Sequence, residues 1–120
     1  MLSVIDKSGK FYQLDTVPHF SNFRKHLRLF SKEVLVEIYQ FIDRKLADTY
    51  RFSVATLFGG EWDYPIKHIY DVLSEDEREA GFLLGKMVMH RVIHHPAEWV
   101  CTKANMQGRD FDVSFYWRPD

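Results

Sequence analysis

Cysteine, proline and glycine are scarce in this chain: one, four and six residues respectively among 120. A lone cysteine, Cys101, cannot close an internal disulfide, and it fits a reducing compartment such as the cytoplasm. No run approaches the ~18 apolar residues of a membrane span. The opening MLSVIDKSGKF lacks a positive leader followed by an apolar stretch, so no signal peptide is expected. The motifs of phosphate and acyl chemistry are missing too. Gly59-Gly60 runs into Glu61-Trp62 rather than into lysine and a hydroxyl, and there is no G-x-S-x-G elbow. A basic excess is also lacking. The formal net charge is −1, whereas nucleic-acid binders are basic overall or on one face.

Apolar residues make up 46% of the chain and aromatic ones 16%, enough for a real core, so disorder is not expected. The length suits one domain. Charge is unevenly laid out, with residues 61–80 holding seven acidic and two basic side chains.

Ser74 to His95, SEDEREAGFLLGKMVMHRVIHH, organises the rest. Ser74 and Glu77 have the spacing of a capping box, with Glu75 and Asp76 adding charge favourable to the helix dipole. Arg91, His94 and His95 suit the other end, and Pro96 stops the helix. Leu84, Met87, Val88 and Val92 form an apolar stripe. Gly81 and Gly85 lie four apart, each costing about 1 kcal/mol against alanine. A close crossing with another backbone is the expected compensation.

Before this helix, LSVI and KFYQL read as two short strands around Lys7-Ser8-Gly9. Ser21 is placed to cap a short helix, NFRKHLRLF, carrying Arg24, Lys25 and Arg28; Ser31 is placed to cap a longer amphipathic one through residue 48. RFSV suits a strand, ATLFGG a single helical turn, and IKHIYDVL a short helix. After it, Trp99, Cys101 and Lys103 alternate with Val100 and Thr102. Phe111, Val113, Phe115 and Trp117 alternate with Asp112, Ser114, Tyr116 and Arg118. That period of two, across a polar connection at 105–109, predicts a β-hairpin.

The order strand, helices, long helix, hairpin is that of a winged helix. Phe52, Val54, Leu57, Phe58, Gly60, Trp62, Leu73 and Arg78, in FSVATLFGGEW and LSEDER, carry a resemblance. Residues 51–117 resemble a small uncharacterised winged-helix-like family of bacteria, phages and plasmids. The resemblance implies a fold and an accessory role, with no activity to carry over.

Each candidate site has a plainer reading. A recognition helix opening with Glu75, Asp76, Glu77 and Glu79 would repel phosphate, so these acids serve the cap and the dipole. Lys86, His90, Arg91, Lys103 and Arg109 form an alternative nucleic-acid set, able to position a duplex rather than read it. Arg24, Lys25, His26, Arg28 and Lys32 are read as a solvated face. His90 and His94, four apart, have zinc-ligand spacing, with Cys101 or His68 as a conceivable third ligand. Arg91 stands where the metalloprotease signature needs glutamate, and histidines at a helix end ordinarily serve the dipole. Cys101, in a strand, reads as a buried small side chain. Trp99, Tyr116 and Trp117 crowd the hairpin, and aromatics left exposed there would mark an interface.

The sequence therefore predicts one α+β domain, 1–120. An N-terminal hairpin and amphipathic helix (1–48) pack on a winged-helix-like unit (49–120). The expected function is non-enzymatic and regulatory, without a cofactor. It would bind a protein partner or a second copy through Trp99, Tyr116, Trp117, Glu75 and Glu79. The alternative is a winged-helix DNA-binding regulator, and a metal-dependent enzyme comes third. No membrane partner is expected.

Overall fold

The computed structural model describes residues 1–6, 8–105 and 112–119. Leu2–Ile5 (β1) buries every second side chain, Leu2 and Val4. It pairs antiparallel with Phe11–Leu14 (β2). In the turn between them, the Asp6 carboxylate accepts from the Ser8 and Lys10 backbone N–H groups, both at 2.9 Å. Gly9 takes a φ of 83° there, which a residue with a Cβ rarely adopts.

β1 also pairs in parallel with Trp99–Asn105 (β4), in the register Leu2–Trp99 and Val4–Cys101. β4 runs antiparallel to Asp112–Trp117 (β5), and β5 to Arg51–Ser53 (β3). The sheet order is β2-β1-β4-β5-β3. The N-terminal hairpin joins the C-terminal unit by extending its sheet edge to edge. The apolar alternation of LSVI allows this, because Leu2 and Val4 then fall on the same face as Trp99 and Cys101.

The register divides the C-terminal aromatics. Phe52, Trp99 and Tyr116 lie on the core face, where Phe52 stacks on Tyr116 at 4.9 Å and meets Trp99 edge-on at 5.5 Å. Phe115 and Trp117 alternate onto the opposite face and are half-buried.

The helices are Phe20–Leu27 (α1), Lys32–Ala47 (α2), Val54–Phe58 (α3), Lys67–Val72 (α4) and Glu77–Ile93 (α5). α5 is the hub and packs against each of the other four. Its Ala80, Leu84, Met87, Val88 and Val92 are buried beside Ile38, Ile42 and Leu46 of α2. Each large aliphatic side chain removed from water in this way contributes about 1.5–3 kcal/mol. Ser31 caps α2, its hydroxyl accepting from Val34 N–H at 3.2 Å.

Two helix starts differ from expectation. α1 begins at Phe20 after His19, in the left-handed region at φ 55°, so Ser21 is inside the helix. α5 begins at Glu77 with Asp76 as its cap: the Asp76 carboxylate accepts from Glu79 N–H at 3.1 Å. Ser74 and Glu75 are both left-handed, at φ 57° and 60°, so no capping box forms from Ser74. The reason lies in the preceding helix. Glu75 N–H bonds Tyr70 O at 2.8 Å and Asp76 N–H bonds Leu73 O at 3.1 Å. These bonds close the end of α4 and hold residues 74–75 outside α5.

The architecture is thus an α+β fold. No helix among the described residues is long and apolar enough to cross a membrane.

Candidate functional site

Alongside its core stripe, α5 presents a second stripe, Arg78, Gly81, Phe82, Gly85 and Met89, at helical three-and-four spacing. This stripe lines a groove of about 1240 Å³. Among the described residues there is no close crossing at the two glycines: a Cβ built on Gly81 or on Gly85 meets none of their atoms within 4 Å. Both glycines open onto the groove, and no described neighbour packs on them to offset their cost as helix residues.

The facing wall comes from α3 and the chain after it: Val54, Ala55, Phe58 and Trp62. These side chains are held from behind. Phe58 stacks on Phe41 at 5.8 Å, and Trp62 stacks on Tyr70 at 5.6 Å. α3 is fixed by a capping box, with the Ser53 N–H donating to Thr56 Oγ1 at 2.8 Å and the Thr56 N–H to Ser53 Oγ at 3.3 Å. Gly59 and Gly60, at φ 66° and 74°, turn the chain so that Trp62 reaches the wall. Ser114 and Tyr116 of β5 form the floor. Burial beside Cys101 raises the Tyr116 phenol far above its ordinary pKa, so it stays protonated.

The mouth is acidic. Glu61, Glu75, Asp76, Glu77 and Glu79 line it, against Arg78 and Lys86. Arg78 is partly spent on the Phe82 ring, its guanidinium 5.6 Å from the centroid. Aromatic walls under a carboxylate rim suit an apolar body with cationic groups at its edges.

The residues singled out from the sequence scatter. Glu75 and Glu79 meet at this mouth, and Lys86 lies further along the same groove. Trp99 and Tyr116, expected at a partner surface, are each only 1% exposed. The strand alternation turns both rings inward, so neither forms an outward-facing interface. Trp117 lies on the other face of the sheet, half-buried beside Val100 and Arg51 in the strand pairing. Arg109 lies outside the described residues, as do Phe111 and the side chain of Lys103.

His90 and Arg91 belong to a polar cluster between α2 and α5. Arg91 forms a bidentate ion pair with Asp43 and lies over the Tyr39 ring, 5.3 Å from its centroid. Tyr39 Oη and His90 Nδ1 are 3.0 Å apart. Burial raises the Tyr39 pKa, while it lowers that of His90, helped by the neighbouring His94 and Arg91 charges. With the phenol donating, the neutral His90 ring carries its proton on Nε2. The rings of His90 and Phe23 meet edge-on at 5.4 Å. His94 packs against His90 at 5.1 Å, and no third ligand joins them: among the described residues no three His, Cys, Asp or Glu side chains are grouped to hold a metal. This cluster ties two helices together.

Trp62, Phe82, Gly81, Gly85 and Met89 were not among the predicted site residues. The glycine pair was the visible signal. Its spacing marks a helix side where no Cβ is wanted, and that side faces either a neighbouring backbone or open space.

Comparison with protein-family models, with curated proteins and with solved structures gave no match.

Proposed function

We propose that this is a non-enzymatic accessory or regulatory protein that binds a segment of a partner polypeptide in the groove beside α5. One observation carries the reading: Gly81 and Gly85 open onto a groove of about 1240 Å³, with no atom of the described residues within 4 Å of either Cβ. A helix that bears two glycines without packing on them leaves room for something that arrives later. Binding clefts share the other features here, an apolar wall of supported aromatics and a few polar groups at the rim. The chain's single cysteine, Cys101, is buried, which suits a reducing cytoplasm.

DNA contact has less support. Arg91 is committed to Asp43, and His90 is packed between Phe23 and Tyr39. Lys86 shares its groove with five carboxylates, which repel phosphate.

The test is a displayed library of random 16-residue peptides. It is panned on the wild-type protein and re-assayed on a Gly81→Phe/Gly85→Phe variant whose folding is checked by circular dichroism. Peptides that bind the wild type and bind the filled variant at least ~10-fold more weakly support the reading. If every selected peptide ignores the filling, the groove is not the binding site.

A further inference from the structure

The same groove specifies its occupant more narrowly. We infer that it takes a basic amphipathic α-helix of a partner protein; this rests on the binding reading above and adds the partner's shape and charge.

Shape comes first. The α5 residues that line the groove run from Glu77 to Met89, about 18 Å of helix axis, which matches about three turns of an occupant laid alongside. Glu75 lies just before this stretch, so an occupant can lie beside an existing helix with acidic groups at one end. Packed helix axes approach to 8–10 Å, and the shorter distances need small side chains at the crossing. Gly81 and Gly85 supply them one turn apart on the side facing the groove. Phe58, Trp62 and Met89 offer apolar surface for anchors spaced three and four residues apart, the pattern of helix-in-groove recognition.

Charge comes second. Five carboxylates and two cations line the groove, so an occupant with lysine or arginine flanking its apolar stripe is complementary, and an acidic one is repelled. Asp76 is occupied as the α5 cap, while Glu75 and Glu79 make no such bond and are exposed. They are the carboxylates placed to meet the partner's cations.

Three synthetic 18-residue peptides, read by fluorescence anisotropy, test this. One has leucine and alanine on a single helical face and lysine on the other. The second replaces lysine by glutamate. The third scrambles the first, so that no apolar face forms. The lysine peptide is expected to bind, to weaken in 0.5 M salt, and to bind Gly85→Phe at least ~10-fold more weakly. The glutamate peptide is expected to bind at least ~10-fold more weakly than the lysine one. A Glu75→Lys/Glu79→Lys variant should reverse that preference. The scrambled peptide should not bind. Equal binding of the two charged peptides overturns the basic partner while leaving the groove as the site. Binding of the scrambled peptide as tightly as its parent overturns the helix. Failure of all three, while library peptides still distinguish wild type from the filled variant, overturns the inference alone. Lysine-peptide binding that is indifferent to Gly85→Phe places that contact elsewhere and overturns the inference; the binding reading falls with it only where the library peptides ignore the filling as well.

Discussion

Arg91 holds Asp43 through two parallel hydrogen bonds, Nε to Oδ1 at 2.8 Å and Nη2 to Oδ2 at 2.7 Å, which fastens α5 to α2. Both side chains keep over a third of their surface in water, at 37% and 43%, so screening limits what the pair contributes. A double-mutant cycle with Asp43→Ala and Arg91→Ala, read by urea unfolding, should give a coupling of about 1 kcal/mol. A coupling near zero would mean that the bidentate geometry contributes nothing in solution.

The histidines at this end of α5 set a pH dependence. Burial lowers the pKa of His90, with His94 and Arg91 adding to the effect; burial and the Arg118 charge lower that of His95. A folded-state pKa below the unfolded value of about 6.5 means that the unfolded chain binds protons more readily. Stability from these groups is therefore complete above about pH 6.5 and declines as the pH falls through that value toward the folded pKa. Asp6 acts in a lower window. Hydrogen bonds from Ser8 and Lys10 depress its pKa, so its contribution is held above its ordinary value near 3.8 and lost on further acidification. Urea midpoints should fall between pH 7.5 and pH 5.5, and a His90→Gln/His95→Gln variant should flatten that slope. A slope unchanged in the variant would assign it to other groups.

The start of α5 separates two possible caps by one measurement each. Asp76→Ala removes the acceptor for Glu79 N–H and should cost about 1 kcal/mol. Ser74→Ala removes a side chain that lies outside the helix, in the left-handed region, and should change stability by less than about 0.5 kcal/mol. The reverse ranking would restore Ser74 as the cap.

Trp99 and Trp117 make a second contrasting pair. Trp99 is 1% exposed and in contact with Phe52, so Trp99→Ala should cost about 3–5 kcal/mol. Trp117 lies on the half-buried outer face, and Trp117→Ala should cost roughly 1 kcal/mol. Denaturation of the two variants under one condition checks the order, and comparable losses would mean that the outer face is packed as tightly as the core.

What was legible in the sequence follows from the range of the forces involved. α2 was readable from its one-sided apolar stripe, and α5 from a long apolar run between an acidic start and a basic end, all local properties. The hairpin strands were readable from their alternation, but not which face would be inward. Trp99 and Tyr116 turn in because Leu2 and Phe52 meet them from strands 97 and 64 positions away in the chain. Cap choice failed for a similar reason. Ser74 is the better local signal, yet backbone bonds to Tyr70 and Leu73 pull residues 74–75 out of the helix. The groove was half legible. The glycine pair could be seen, but whether it met a backbone or open space depended on where α3 and Trp62 come to rest.

That last distinction is measurable. Glycine within a helix costs about 0.5–1 kcal/mol relative to alanine, through backbone entropy alone, unless a Cβ would collide. Gly81 and Gly85 sit inside α5 with no atom of the described residues within 4 Å of an added Cβ. Gly81→Ala and Gly85→Ala should therefore each stabilise the free protein by about 0.5–1 kcal/mol in urea unfolding, with near-additive effects in the double variant. A glycine pair that packs on a backbone gives the opposite sign, because the methyl group then forces two elements apart. Stabilisation of the free protein with weakened peptide binding would show that the space serves an occupant: the methyl groups would then obstruct only the bound state. Destabilisation in the absence of any peptide would mean that the groove is already filled by the chain itself.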